Sequence, residues 1–204
     1  MPFRRAIPYA AVCAICLVAP ARAQRADSLG AGSRASYWRH FAYGAATSLA
    51  LHELAHVVTA EAVGGRPWFG FDKLRPTIYS GINSQIEPHK QFLFSASGLA
   101  IQSLVDEMIL DIPHARGSAF ERGVLGGGIG TTLFYLTIGR RGSVSDIDFI
   151  ARTRAMTITQ ATLLFGSVAA LHSWRVSRDS HYANFFARPG RDGHLDFGLQ
   201  LGAP

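Results

Sequence analysis

Residues 50–62, ALHELAHVVTAEA, hold three side chains that could do chemistry together: His52, Glu53 and His56. On an α-helix, positions four apart share a face, so both imidazoles can reach one metal ion. Glu53 sits next to His52, where it can reach a metal-bound water without itself being a ligand. Two neutral histidines on a zinc ion, with a carboxylate to take a water's proton, is the arrangement of a zinc hydrolase. The competing reading is a helix with two buried histidines and a buried ion pair. A glutamate in such a setting is costly, so it needs a reason to be there.

A catalytic zinc usually takes three protein ligands plus water. Glu61 is about 180° around the helix from His52 and points away. His40 lies too far back along the same helix. Asp106, Asp111, Asp146 and Asp148 remain. If four helices cross a bilayer, the first-to-second and third-to-fourth connections lie on the same side. His56 is then about 10 Å inside that face, and Asp146 and Asp148 open the fourth helix on it. Asp106 lies roughly 22 Å from it. Geometry favours Asp146 as the third ligand, with Asp148 as the alternative. A near match to a capping box, Ser145 with Asp148, competes for the second aspartate.

The element that must present the motif is a helix over residues 37–63. It is apolar on nearly every side. Between Phe41 and Ala60 its only charged or histidine residues are the three of the motif. Such a length can cross a bilayer, and ionisable groups at membrane depth are costly enough to mark function. A second apolar run covers residues 92–112. Ser95, Gly98, Gln102 and Asp106 share one face of it; Gly98 permits close helix approach and Gln102 offers a hydrogen bond across a helix interface. A third run, 119–139, is rich in glycine. That suits tight packing better than a phosphate loop, since no Lys-Ser/Thr pair follows. A fourth opens at residues 142–148 and continues to Trp174. Between the first two helices, 77–79 and 82–86 flank Ser80-Gly81 as a short hairpin, whose edge could take an extended substrate by strand addition. Near the end, Leu195, Phe197, Leu199 and Leu201 alternate as one strand.

Composition agrees with a small membrane protein. The chain has 204 residues, 48% of them hydrophobic and only 17% charged, against about 25% charged in soluble domains. The net charge is +6. The arginines lie between the apolar runs and at the ends, which fits membrane flanks and not a nucleic-acid surface. Residues 1–23 read as a secretory signal peptide: Arg4 and Arg5, an apolar centre, then Ala21-Arg22-Ala23. Cys13 and Cys16 fall inside it, so the mature chain has neither disulfides nor a thiolate zinc site. Residues 24–36 form a flexible lead-in, 37–177 the membrane helical domain, and 178–204 a tail with one short strand. The expected fold is all-α, a membrane-embedded bundle of about four helices with a small β hairpin or strand in its loops and tail.

Four features together resemble the site-2 protease family of intramembrane zinc metalloproteases. These are His52-Glu53-Leu54-Ala55-His56 in the first membrane helix, Gly98-x-x-x-Gln102 in the next, an aspartate opening a later helix, and the small size. The resemblance covers residues 36–175. It implies a multi-pass Zn2+ enzyme of a bacterial inner membrane that cleaves membrane proteins or peptides, with His52 and His56 as ligands and Glu53 as general base. The family's Gly-Pro-x-x-Asn stretch is matched by Gly98-Leu99-Ala100-Ile101-Gln102, with Leu for Pro and Gln for Asn. Its Leu-Asp-Gly ligand segment is replaced by Ser145-Asp146-Ile147. Gln102 and Asn83 are candidates to hold the substrate backbone. Three rival readings exist. One is a non-enzymatic membrane protein with a vestigial motif. Another is a soluble periplasmic zinc peptidase whose apolar runs are core helices. The third is a di-iron oxidase, which needs several histidine boxes, whereas His40, His89, His114, His172, His181 and His194 are scattered.

Overall fold

Residues Arg34–Ala62 contain no proline and a single glycine, and form one helix of 29 residues, α1. It stops where Gly64 takes a φ of 85° and the Gly65 N–H donates to the Ala60 carbonyl at 2.7 Å, a left-handed glycine terminus. The computed structural model describes residues 34–72, 75–141, 145–179, 181–189 and 195–201. The expected signal peptide and nearly all of the lead-in lie outside the described residues.

After α1 come two strands, β1 (Trp68–Asp72) and β2 (Arg75–Tyr79), paired antiparallel with Trp68 opposite Tyr79. Their rings stack at 4.1 Å, a cross-strand aromatic pair that fixes the register. Helix α2 (Pro88–Asp111) begins with its proline in the first turn, where the missing N–H costs nothing. Helix α3 (Ala119–Leu136) starts from a Ser118/Glu121 capping box, and α5 (Ile158–Arg178) from a Thr157/Gln160 box. Between them lie a 3-10 turn, Ile138–Arg141, and the short helix α4 (Asp146–Arg152). The chain closes with β3 (Ala183–Pro189) antiparallel to β4 (Leu195–Leu201).

Helix α1 is central and packs on α3 and α2. Its crossing with α3 is tight enough to require glycine on both sides. A Cβ on Gly44 would collide with the Phe120 carbonyl, and one on Gly123 with the Phe41 carbonyl. The glycine-rich run is therefore a packed helix, and no phosphate loop forms. On the other flank, Leu99, Leu136, Ile147, Ile150, Ala161 and Phe165 form the core that joins α2 to α5.

Three expectations are corrected. The fourth apolar run is two helices, not one: Arg154 adopts a φ of 61° and Thr157 then caps a new helix. The first hairpin pairs β2 with residues 68–72, not with 82–86. Past β2, Gly81 takes a φ of 66° and the Asn83 side chain accepts from the Gln85 N–H at 2.9 Å, which turns the chain into α2. The tail carries two strands where one was expected, because β3 lacks the alternation that reveals β4. The fold is mostly helical. Among the described residues, one helix, α2, is long and apolar enough to cross a membrane. Helix α1 has the length, but its His-Glu-x-x-His set lowers its apolar character.

Candidate metal centre and cleft

His52 and His56 project from one face of α1 and are 1% and 4% exposed. Their Nε2 atoms lie 3.1 Å apart. Such closeness is possible because α2 passes over them at Gly98. A Cβ there would stand 2.6 Å from both Nε2 atoms. Asp146 arrives from α4, which Ile147 and Ile150, both fully buried, anchor in the core. Its Oδ2 is 3.0 Å from the His52 Nε2 and its Oδ1 3.5 Å from the His56 Nε2. The three ligand atoms all lie within 4.8 Å of one another.

The surrounding hydrogen bonds fix the imidazole tautomers. The His56 Nδ1 is 2.7 Å from the Phe94 carbonyl, which can only accept, so Nδ1 carries the proton. The His52 Nδ1 is 2.9 Å from the Gln102 Oε1. That amide is itself oriented, because its nitrogen must donate to the Ser48 carbonyl at 3.3 Å and the Ser48 hydroxyl at 3.0 Å. Both neutral imidazoles therefore aim a lone pair at the other and at the carboxylate. The Asp146 Oδ2 is buried without a hydrogen-bond partner. Three converging electron-pair donors repel unless a proton or a metal cation sits among them. The group could hold a metal ion, and two imidazoles with one carboxylate are a donor set that suits zinc.

The centre opens into a cleft of about 510 Å³. Glu53, His56 and Asp146 line it beside Thr77 and Ile78 of β2, and Tyr135 of α3 lines it too. The Tyr135 ring lies parallel to that of His52, at 9° and 5.7 Å. Glu53 thus faces the same space as two of the three candidate ligands.

Other candidates fall elsewhere. Ser145 sits at the N-cap of α4, but its side chain makes no capping hydrogen bond, so the capping box does not form. Asp148 pairs with Arg152 one turn on and is not in the ligand group. Asp106 faces His172, and Asp111 pairs with Arg175. Gln102 does not line the cleft; it is buried behind His52. Asn83 is exposed and spends its side chain on the turn before α2. Ser48 and Tyr135 were missed from sequence. Ser48 was legible in principle, one turn before His52 on the same face. Tyr135 gives no sequence signal. Comparisons with protein-family models, curated proteins and solved structures found no match.

Proposed function

We propose that this chain is a zinc-dependent metallopeptidase of the site-2 protease kind, embedded in a membrane by several helices. The observation that carries the reading is the convergence of His52, His56 and Asp146 beside Glu53 at a cleft. His52, His56 and Asp146 would hold a divalent cation, which when bound would supply a water of lowered pKa and polarise a carbonyl. The chain's own contribution is positional and proton-handling. Glu53 takes the water's proton on its carboxylate and passes it to the leaving amine. Gln102 and the Phe94 carbonyl keep both imidazoles in the tautomer that leaves Nε2 free.

The β2 strand supports a peptide substrate. It is an edge strand of a two-stranded sheet with β1, and its Thr77 and Ile78 line the cleft. An extended segment added to that edge would run past the ligand group. Membrane embedding is supported by large apolar side chains turned outward. Val58, Leu93, Leu104, Leu133, Leu163 and Leu171 are between 47 and 66% exposed, a distribution that water disfavours and lipid accepts.

The test is metal analysis of detergent-purified protein. About one zinc per chain is expected, lost in His56→Ala and in Asp146→Ala but kept in Asp148→Ala. Glu53→Gln should retain zinc and lose peptide hydrolysis. An active Glu53→Gln protein would refute the assigned base. A wild type that binds no metal would leave a non-enzymatic membrane protein. Release by carbonate washing would leave a soluble peptidase.

A further inference from the structure

Helix α3 contains five glycines, and four of them touch a neighbour. Gly123 meets the Phe41 carbonyl. A Cβ on Gly127 would be 2.9 Å from the Ser48 Cβ, and one on Gly128 would be 2.7 Å from the Asp106 carboxylate. One on Gly126 would rest against the Phe41 ring at 3.5 Å. Gly130 differs: a Cβ there would meet nothing within 4 Å. Glycine in a helix interior weakens the helix relative to alanine, and here no packing contact explains it. Gly130 does, however, line the cleft that holds Glu53, His56 and Asp146, among the walls formed by Phe94, Phe134 and Phe149.

We infer that Gly130 is the specificity-determining residue of this cleft, leaving room for a large apolar side chain, leucine or aromatic, next to the peptide group held at the ligand cluster. The inference rests on the metallopeptidase reading. A side chain at position 130 would project into the cleft on the same helix face as Phe134, one turn on, and would occupy the space that a substrate side chain needs. The walls offer hydrocarbon and ring surface, so a small or polar side chain gains little there. Discrimination by such a pocket is modest per methylene and grows with side-chain size.

The test uses the full chain, detergent-purified and zinc-loaded, with short peptide hydroxamates that differ only in the residue beside the hydroxamate: alanine, leucine or phenylalanine. Wild type is expected to bind the leucine and phenylalanine compounds about tenfold or more tightly than the alanine one. Gly130→Leu should remove that preference. Gly126→Ala, one turn back and outside the cleft, should keep it. Leucine is a better helix former than glycine, so zinc content and unfolding temperature report whether the variant is folded. If Gly130→Leu loses zinc, Gly130→Ala carries the test through an intermediate preference. Equal binding of all three compounds by wild type, or an undiminished preference in the Gly130 variants, overturns the inference. Peptide hydrolysis is assayed separately. Size-selective binding that depends on position 130 but comes without hydrolysis would uphold the subsite and sink the peptidase reading. Hydrolysis indifferent to position 130 would do the reverse.

Discussion

The His52 Nδ1–H donates to the Gln102 Oε1 at 2.9 Å, and the Gln102 amide nitrogen donates in turn to Ser48 on the same helix as His52. Gln102 is thus clamped between two points of α1, one turn apart. It fixes which imidazole nitrogen carries the proton and which one faces the carboxylate. In metal sites such partners set ring orientation and ligand basicity.

Gln102→Leu removes the acceptor while keeping most of the volume. Zinc affinity should fall about 10- to 100-fold, measured by competition with a chelating dye. The bundle should remain folded. Unchanged affinity would mean that packing alone, including the parallel Tyr135 ring, orients His52.

Gly98→Ala sets two effects against each other. Alanine favours the helix by about 1 kcal/mol. The added Cβ, however, would stand 2.6 Å from the Nε2 of both His52 and His56, so one or both rings must move. The steric effect should win at the centre. The expected outcome is a helical protein, by circular dichroism, that no longer retains zinc. A full complement of zinc in Gly98→Ala would show that α2 can shift outward at little cost.

Gly44 and Gly123 meet backbone rather than side chain, and backbone cannot step aside alone. Gly123→Ala should therefore destabilise the α1–α3 crossing by the roughly 1–3 kcal/mol of overpacking, read from unfolding in detergent. Gly130→Ala on the same helix is the control, since its Cβ meets nothing. It should be neutral or slightly stabilising. Equal effects at the two positions would contradict the tight crossing.

Much of this site was legible because it is built from short-range rules. The four-residue spacing put His52 and His56 on one face, and the depth of Asp146 along the chain, counted from the helix ends, separated it from Asp106. Gly98 permits close helix approach, and α2 does pass the two histidines there. The misreadings share a cause. The Gln102 amide does make the expected hydrogen bonds across a helix interface, but whether it also faces a cleft depends on how α1 and α2 rotate against each other, which spacing within one helix does not report. The break at Arg154 hides inside a continuous apolar trend because Thr157 with Gln160 resembles any polar pair. The β3 strand, with Phe185 beside Phe186, has no period of two and is specified by its partner β4.

Another buried acid gives the last prediction. Asp106 is 2% exposed, and its Oδ1 has no hydrogen-bond partner. The His172 Nδ1 is 3.5 Å from the Asp106 Oδ2, and the His172 Nε2 is 3.1 Å from the Glu107 Oε1. Arg175 then joins Glu107 to Asp111 at the exposed end of α2. The imidazole is the link between a buried acid and a surface ion network. Removing it alone, as His172→Leu, strands the Asp106 carboxylate against Gly128 in the interior. Breaking a buried pair in this way costs about 3–5 kcal/mol. Asp106→Leu with His172→Leu removes both partners and should recover much of that loss, because hydrophobic replacement of a buried pair is often close to neutral. Unfolding of the two single variants and the double in detergent gives the coupling directly. A coupling below about 0.5 kcal/mol would mean that the two sites are independent, and that the His172–Asp106 contact adds nothing to the stability of the bundle.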